Sequence, residues 1–127
     1  MSIHFDLTLR PDESVFFSRN DVNDPRLGEI VRHTPDHYDK ADIVILGCPQ
    51  DEGVRRNGGR IGAADAPLAI RKQFYKLTTM NIRKRIFDLG DVKMANTLEA
   101  THDTMTEIVK AVLGDGKRLI VLGGGND

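Results

Sequence analysis

Three arginines, Arg55, Arg56 and Arg60, share a short stretch with Asn57, Gly58 and Gly59. Guanidinium forks match a carboxylate bidentately, and glycines let backbone approach a bound molecule closely. Arg55, Arg56, Asn57 and Arg60 are therefore candidate substrate-binding residues, a clamp of the kind a glutamate-like molecule would use. The same residues have a plainer reading, in which one or two of the arginines hold the loop together by pairing with Asp51, Glu52 or Asp65. Only one arginine need face a ligand. A second glycine-rich stretch, Gly123-Gly-Gly-Asn-Asp127, lacks the Lys-Ser/Thr pair and glycine spacing of a nucleotide loop, so as a phosphate cradle it is a weak signal. His33 and His37 stand four apart, which suits metal binding on a helix, but Pro35 between them argues against that helix, and solvent-exposed loop histidines are expected. His4 and His102 read as surface residues. Cys48, beside Pro49 and with no histidine near it in sequence, reads as a small packing residue rather than a nucleophile.

The elements that must position these residues begin at Ala41. Asp42-Ile-Val-Ile-Leu46 is a short β-branched run ended by Gly47 and Pro49, as expected of a strand buried on both faces. Asp65-Ala-Pro67 suggests the start of a helix reaching about Leu77. Arg85-Ile-Phe-Asp88 reads as a second strand. Leu98 to about Leu113 reads as a helix with Met105, Ile108, Val109 and Val112 on one face, and Lys117 to Leu122 as a third strand. Strands alternating with helices imply a parallel sheet with right-handed crossovers, in the order 2-1-3 or its mirror equivalent. In such sheets ligands sit beyond the carboxyl ends of the strands. Three polar or glycine-rich segments converge there: 47–52, 89–91 and 123–127. Residues 1–40, broken by Pro11, Pro25 and Pro35, read as an irregular arm wrapped on the core. The third strand would present an apolar edge unless something covers it, and the fold is expected to be incomplete at Asp127.

Eighteen Lys and Arg against nineteen Asp and Glu give a net charge of −1. That balance argues against a global field of the kind that gathers nucleic acid or an anionic membrane, and suits a small polar ligand. The single cysteine cannot form an internal disulfide, the first ten residues lack a signal peptide's apolar run, and no apolar segment approaches the ~20 residues of a membrane helix. A cytoplasmic protein is expected, with no nucleic-acid or membrane partner.

Beyond these generic readings, Asp51-Glu-Gly-Val-Arg-Arg-Asn-Gly-Gly-Arg60-Ile-Gly-Ala63, followed by Ala66-Pro67 and Ala69-Ile-Arg71, closely resembles the first signature loop of formimidoylglutamases. It is more loosely similar to arginases and agmatinases. Asp88-Leu-Gly-Asp91 resembles the next strand-end motif of that superfamily, and Leu122-Gly-Gly-Gly-Asn126-Asp127 resembles the glycine loop carrying its first manganese ligand. The likeness covers about residues 41–127, the amino-terminal part of a ureohydrolase α/β domain, with 1–40 as the arm.

The resemblance implies a three-layer arginase-type α/β fold and a hydrolase using two Mn2+ ions to split a carbon–nitrogen bond of a linear amidine or guanidinium compound. Formimidoylglutamate giving glutamate and formamide, in histidine breakdown, is the leading reaction, with arginine or agmatine as the alternative substrate. A homo-oligomer is also implied. Family members place a histidine after the glycines where this chain has Asn126, whose amide oxygen can ligate manganese more weakly than imidazole or can cap a following helix. The neighbouring Asp127 would then serve around the site rather than on the metal. The family's later Asp-x-His-x-Asp and Asp-x-Asp ligand motifs do not occur in this chain. It is therefore expected to be inactive alone, and a non-catalytic α/β binding or assembly module is the reading from another class.

Overall fold

The computed structural model describes residues 5–49, 66–94 and 97–123. In chain order they hold strand β1 (Thr8–Leu9), helix α1 (Leu27–Ile30), strand β2 (Ile43–Cys48), helix α2 (Ala66–Phe74), strand β3 (Ile86–Val92), helix α3 (Leu98–Gly114) and strand β4 (Arg118–Gly123). Short 3-10 turns occupy Phe5–Leu7, Glu13–Val15 and Pro35–His37.

The β-branched and leucine runs favour extended backbone, and the strands they form line up as β1-β3-β2-β4. The central strand β2 runs parallel to β3, from Ile43 opposite Ile86 to Gly47 opposite Asp91. It also runs parallel to β4, from Ile43 opposite Arg118 to Cys48 opposite Gly123. The three strands read from sequence thus take the order 2-1-3. The expectation of a wholly parallel sheet is corrected by the arm, because Thr8 and Leu9 pair antiparallel with Val92 and Asp91. Two residues carry no periodicity by which a strand could be read.

Alternation along β2 divides the core between two faces. Val44, Leu46 and Cys48 pack with Phe87, Leu89, Val92 and Tyr38 under Ile108 and Val112 of α3. Ile45 points the other way, into a cluster with Val15, Leu27, Val31, Tyr75 and Ile86. Helix α3 therefore covers one face, while α2 and the arm cover the other, giving three layers. The arm is more than a wrapping, since Val15 and Tyr38 are fully buried in the two clusters.

Helix α3 starts at Thr97, whose side-chain oxygen accepts the Ala100 amide at 3.0 Å. Its buried row is Thr101, Ile108 and Val112, with Met105 and Val109 only half-buried. Helix α2 stops at Phe74, short of the expected Leu77. The chain beyond it instead receives α1, whose first amides, Leu27 and Gly28, donate to the carbonyls of Leu77 and Tyr75 at 2.9 and 3.0 Å. Those are amides with no partner inside their own helix, so the two helix ends satisfy each other.

Candidate functional site

Strands β2, β3 and β4 point their carboxyl ends to one rim, and α2 begins beside them: a Cβ built on Gly47 would lie 3.0 Å from the Cβ of Pro67. Sequence reasoning ended the second strand at Asp88 and left 89–91 as a loop. The strand in fact continues through Asp91 to Val92, with a shift of register that sets Asp88 opposite Ile45 but Gly90 opposite Leu46. Gly90 sits at the bulge with φ of 91°, a conformation side-chain-bearing residues rarely adopt. Under strict alternation Asp88 and Asp91 would face opposite sides of the sheet. One extra residue brings both to the side of α2.

Arg71 meets them there. Its Nε and Nη2 donate to the two carboxylate oxygens of Asp88 at 2.9 and 3.0 Å. Nη1 donates to Asp91 Oδ1 at 2.5 Å, and Nη2 also reaches the Gly90 carbonyl at 3.0 Å. One helical turn on, the Tyr75 hydroxyl donates to Asp88 Oδ2 at 2.6 Å, and the Gly90 amide donates to Asp88 Oδ1 at 2.9 Å. Asp88 and Tyr75 are fully buried and Arg71 is 2% exposed, whereas the Asp91 side chain remains 29% exposed. The network therefore starts in the core and surfaces at Asp91, on the rim. Gly47 makes room for it, because a Cβ there would collide with the Asp91 carboxylate and come within 3.0 Å of Arg71 Nη1.

The electrostatics follow from burial and pairing. Burial is the largest influence on Arg71 and would lower its pKa, but the charge of Asp88 and the hydrogen bonds to Asp88 and Asp91 raise it above the ordinary arginine value. The Tyr75 phenol is pushed upward by burial first and by the Asp88 charge second. From the arm, Arg10 donates through Nη2 to the Leu89 carbonyl at 2.6 Å and to the Thr8 hydroxyl. Burial holds the Arg10 pKa below its ordinary value, opposed by Asp88. The bulge is thus gripped from two sides, by α2 and by the arm. Chemically, this is a fixed, fully paired charge network that sets the rim's backbone and one carboxylate.

The residues singled out for binding, Arg55, Arg56, Asn57 and Arg60, and the candidate metal ligand Asn126 lie outside the described residues, as do Asp51, Glu52, Asp65, His4 and Asp127. Among the described residues, no group of three or more His, Cys, Asp or Glu could hold a metal ion, so those residues alone do not fit a manganese centre. His33 corrects one expectation, since it is half-buried and stacked on Phe16 with ring centroids 4.4 Å apart; His37 is exposed as expected. His102 is half-buried on α3. Cys48 is buried in the α3-side core, the packing position expected of it. Sequence reasoning missed Arg71 and Tyr75 as members of the rim. The available signal was Pro67, Arg71 and Tyr75 at four-residue spacing, one face of a helix whose middle member is charged.

Comparison with known proteins puts names to this arrangement. The chain is 43% identical over 86 residues to the formimidoylglutamase of Salmonella arizonae, a match covering 67% of this chain and 28% of that protein. It is 41% identical over 87 residues to the formimidoylglutamase of Klebsiella pneumoniae subsp. pneumoniae, covering 68% and 27%. It therefore spans less than a third of the length of these curated relatives. Among solved structures, Trypanosoma cruzi formiminoglutamase with Mn2+ matches with a TM-score of 0.71 at 40% identity, over 81% of this chain and 36% of that one. A variant of the same enzyme with an asparagine exchanged for histidine, also with Mn2+, gives a TM-score of 0.69 at 36% identity, over 79% and 35%. The likeness at these identities extends to sequence as well as fold, and the mixed α/β sheet is of arginase type. With the Arginase family model matching residues 41–127, most of its length, the chain belongs to the Arginase family.

Proposed function

We propose that this chain forms part of a hydrolase of linear amidines, with formimidoylglutamate as substrate and glutamate and formamide as products. The observation that carries the proposal is the identity with formimidoylglutamases, 43% through a stretch of 86 residues. The buried network supports it physically: Arg71 fixes the strand end that carries Asp91, and the same helix leads directly out of the segment holding the candidate clamp. In this reading one of Arg55, Arg56 and Arg60, with Asn57, binds the substrate's glutamate carboxylate. A site that grips a planar carboxylate by paired N–H donors selects against agmatine, which has none, because the donors would be left without a partner.

Manganese enters this chain's part of the proposal through Asn126, as a weak ligand in place of the histidine expected by resemblance. The solved relative in which asparagine was exchanged for histidine, with Mn2+ in both forms, makes Asn126→His the informative variant. The remaining ligands in the resemblance belong to motifs these 127 residues do not contain, so the chain by itself is not expected to turn over substrate. A homo-oligomeric assembly also remains part of the proposal. No described helix is long and apolar enough to cross a membrane.

The test is a fusion of this chain to the downstream part of a formimidoylglutamase relative, assayed for formamide release with Mn2+ present. Arg55→Ala, Arg56→Ala and Arg60→Ala are compared singly. At least one is expected to raise KM tenfold or more with a smaller change in kcat, the mark of lost substrate binding. Unchanged KM in all three would show that these arginines serve the loop and not the substrate.

A further inference from the structure

The opposite end of the sheet holds a different kind of site. At the amino-terminal ends of β2 and β3, a cavity of about 460 Å3 is lined by Arg32, His37, Lys40, Arg83, Lys84 and Arg85, together with the apolar Ile30, Ile82 and Ile86. Its volume falls in the roughly 300–1,000 Å3 range of small-molecule sites. Among the described residues, no aspartate or glutamate lines it. The cavity next to it, sharing Lys40 and Lys84, interleaves Asp39, Asp42 and Asp115 with its cations, the pattern of an ordinary solvated face. Lys40 and Lys84 thus have carboxylates on their other side, whereas Arg32, Arg83 and Arg85 line the basic cavity alone, in a chain whose net charge is −1. Among the described residues, the side chains of Arg32, Lys40, Arg83, Lys84 and Arg85 make no ion pair, while Asp36 lies 3.7 Å from His37 Nε2 and the Asp42 carboxylate is held at the Arg85 amide.

Two of these cations stand on fixed backbone. The Arg32 amide donates to the Ile86 carbonyl at 3.0 Å, and its carbonyl accepts from the Asp88 amide at 2.7 Å. The Arg85 amide donates to Asp42 Oδ2 at 2.8 Å, and its carbonyl accepts the amides of Asp42 and Ile43 at 2.8 and 3.1 Å. Like charges gathered around one cavity repel one another, and a bound anion of matching charge removes that repulsion. We propose that this cavity binds a small anion carrying two or more negative charges, at a site separate from the rim where Arg71 and Asp91 lie. Phosphate compounds and organic polycarboxylates share the required chemistry.

The experiment is titration calorimetry on the 127-residue chain with inorganic pyrophosphate and with citrate, at constant ionic strength, with acetate and sodium chloride as monovalent controls. One-to-one saturable binding of pyrophosphate, citrate or both is expected, and which of them binds names the source. The double variant Arg32→Glu/Arg83→Glu, which alters only exposed side chains of this cavity, is expected to weaken binding at least tenfold while its unfolding midpoint without anion stays level or rises. The control Lys110→Glu, on α3 away from the cavity, is expected to bind as the parent does. No saturation beyond the chloride effect, or equal weakening by Lys110→Glu, overturns the proposal.

Discussion

The buried guanidinium of Arg71 is the residue on which the rim depends. Its two partners, Asp88 and Asp91, were legible in the sequence as the ends of a strand motif, but Arg71 was legible only as part of a family-like run. The reason is physical: hydrophobic periodicity assigns apolar side chains to the interior, yet on α2 Leu68 and Ile70 are 39% and 42% exposed while Arg71 is 2% exposed. A charge can occupy the core only when it is paired and hydrogen-bonded, and pairing between distant residues leaves no periodic trace. Arg71→Met should leave Asp88 buried without its cation and cost about 3–5 kcal/mol, measurable by urea unfolding. Tyr75→Phe should cost about 1–3 kcal/mol at neutral pH, since Asp88 loses a buried donor. The pH dependence has a definite sign. Tyr75 keeps its proton in the fold above its ordinary pKa of 10.0, so its contribution is complete below that pH and is lost as pH rises beyond it. The parent's stability should therefore decline more steeply above about pH 10 than that of Tyr75→Phe, by urea midpoints taken at successive pH values.

At the scale of elements, three strands and two helices were readable because each is a run of one pattern, β-branched or amphipathic, bounded by Gly, Pro or a capping residue. The bulge in β3 was not, because it depends on what pairs across from it. Nor was β1, which exists only through its pairing with Val92 and Asp91. These two features belong together: a Cβ on Gly90 would meet the Leu9 carbonyl, so the bulge is shaped to admit β1. Gly90→Ala is expected to cost about 1–3 kcal/mol through its positive φ. The same substitution should speed hydrogen exchange at the Lys93 amide, which donates to the Leu7 carbonyl at 2.9 Å and would be freed as the arm lifts from the sheet. Unchanged exchange there would mean that β1 holds its place without the bulge. The candidate clamp and Asn126 were named from composition and resemblance alone, and their geometry lies outside the described residues.

The whole molecule is a three-layer α/β sheet with two distinct ends: a rim with a paired charge network, and a basic cavity whose described lining holds no carboxylate. Its outermost strand, β4, exposes Ile120 and Val121 and pairs, among the described residues, on one side only. An apolar edge of this kind favours association, and Val121→Lys should reduce concentration-dependent self-association in sedimentation velocity with little change in unfolding midpoint. The membership in the Arginase family and the formimidoylglutamase relatives turn these structural statements toward chemistry. The most direct measurement is formamide release from formimidoylglutamate, run beside urea release from arginine and from agmatine. It uses this chain at verified mass, alone and fused to the downstream part of a relative, with Mn2+ present. The account predicts no turnover by the chain alone and, from the fusion, formamide in clear excess over urea. Turnover by the chain alone, or a fusion that prefers arginine or agmatine, would contradict it.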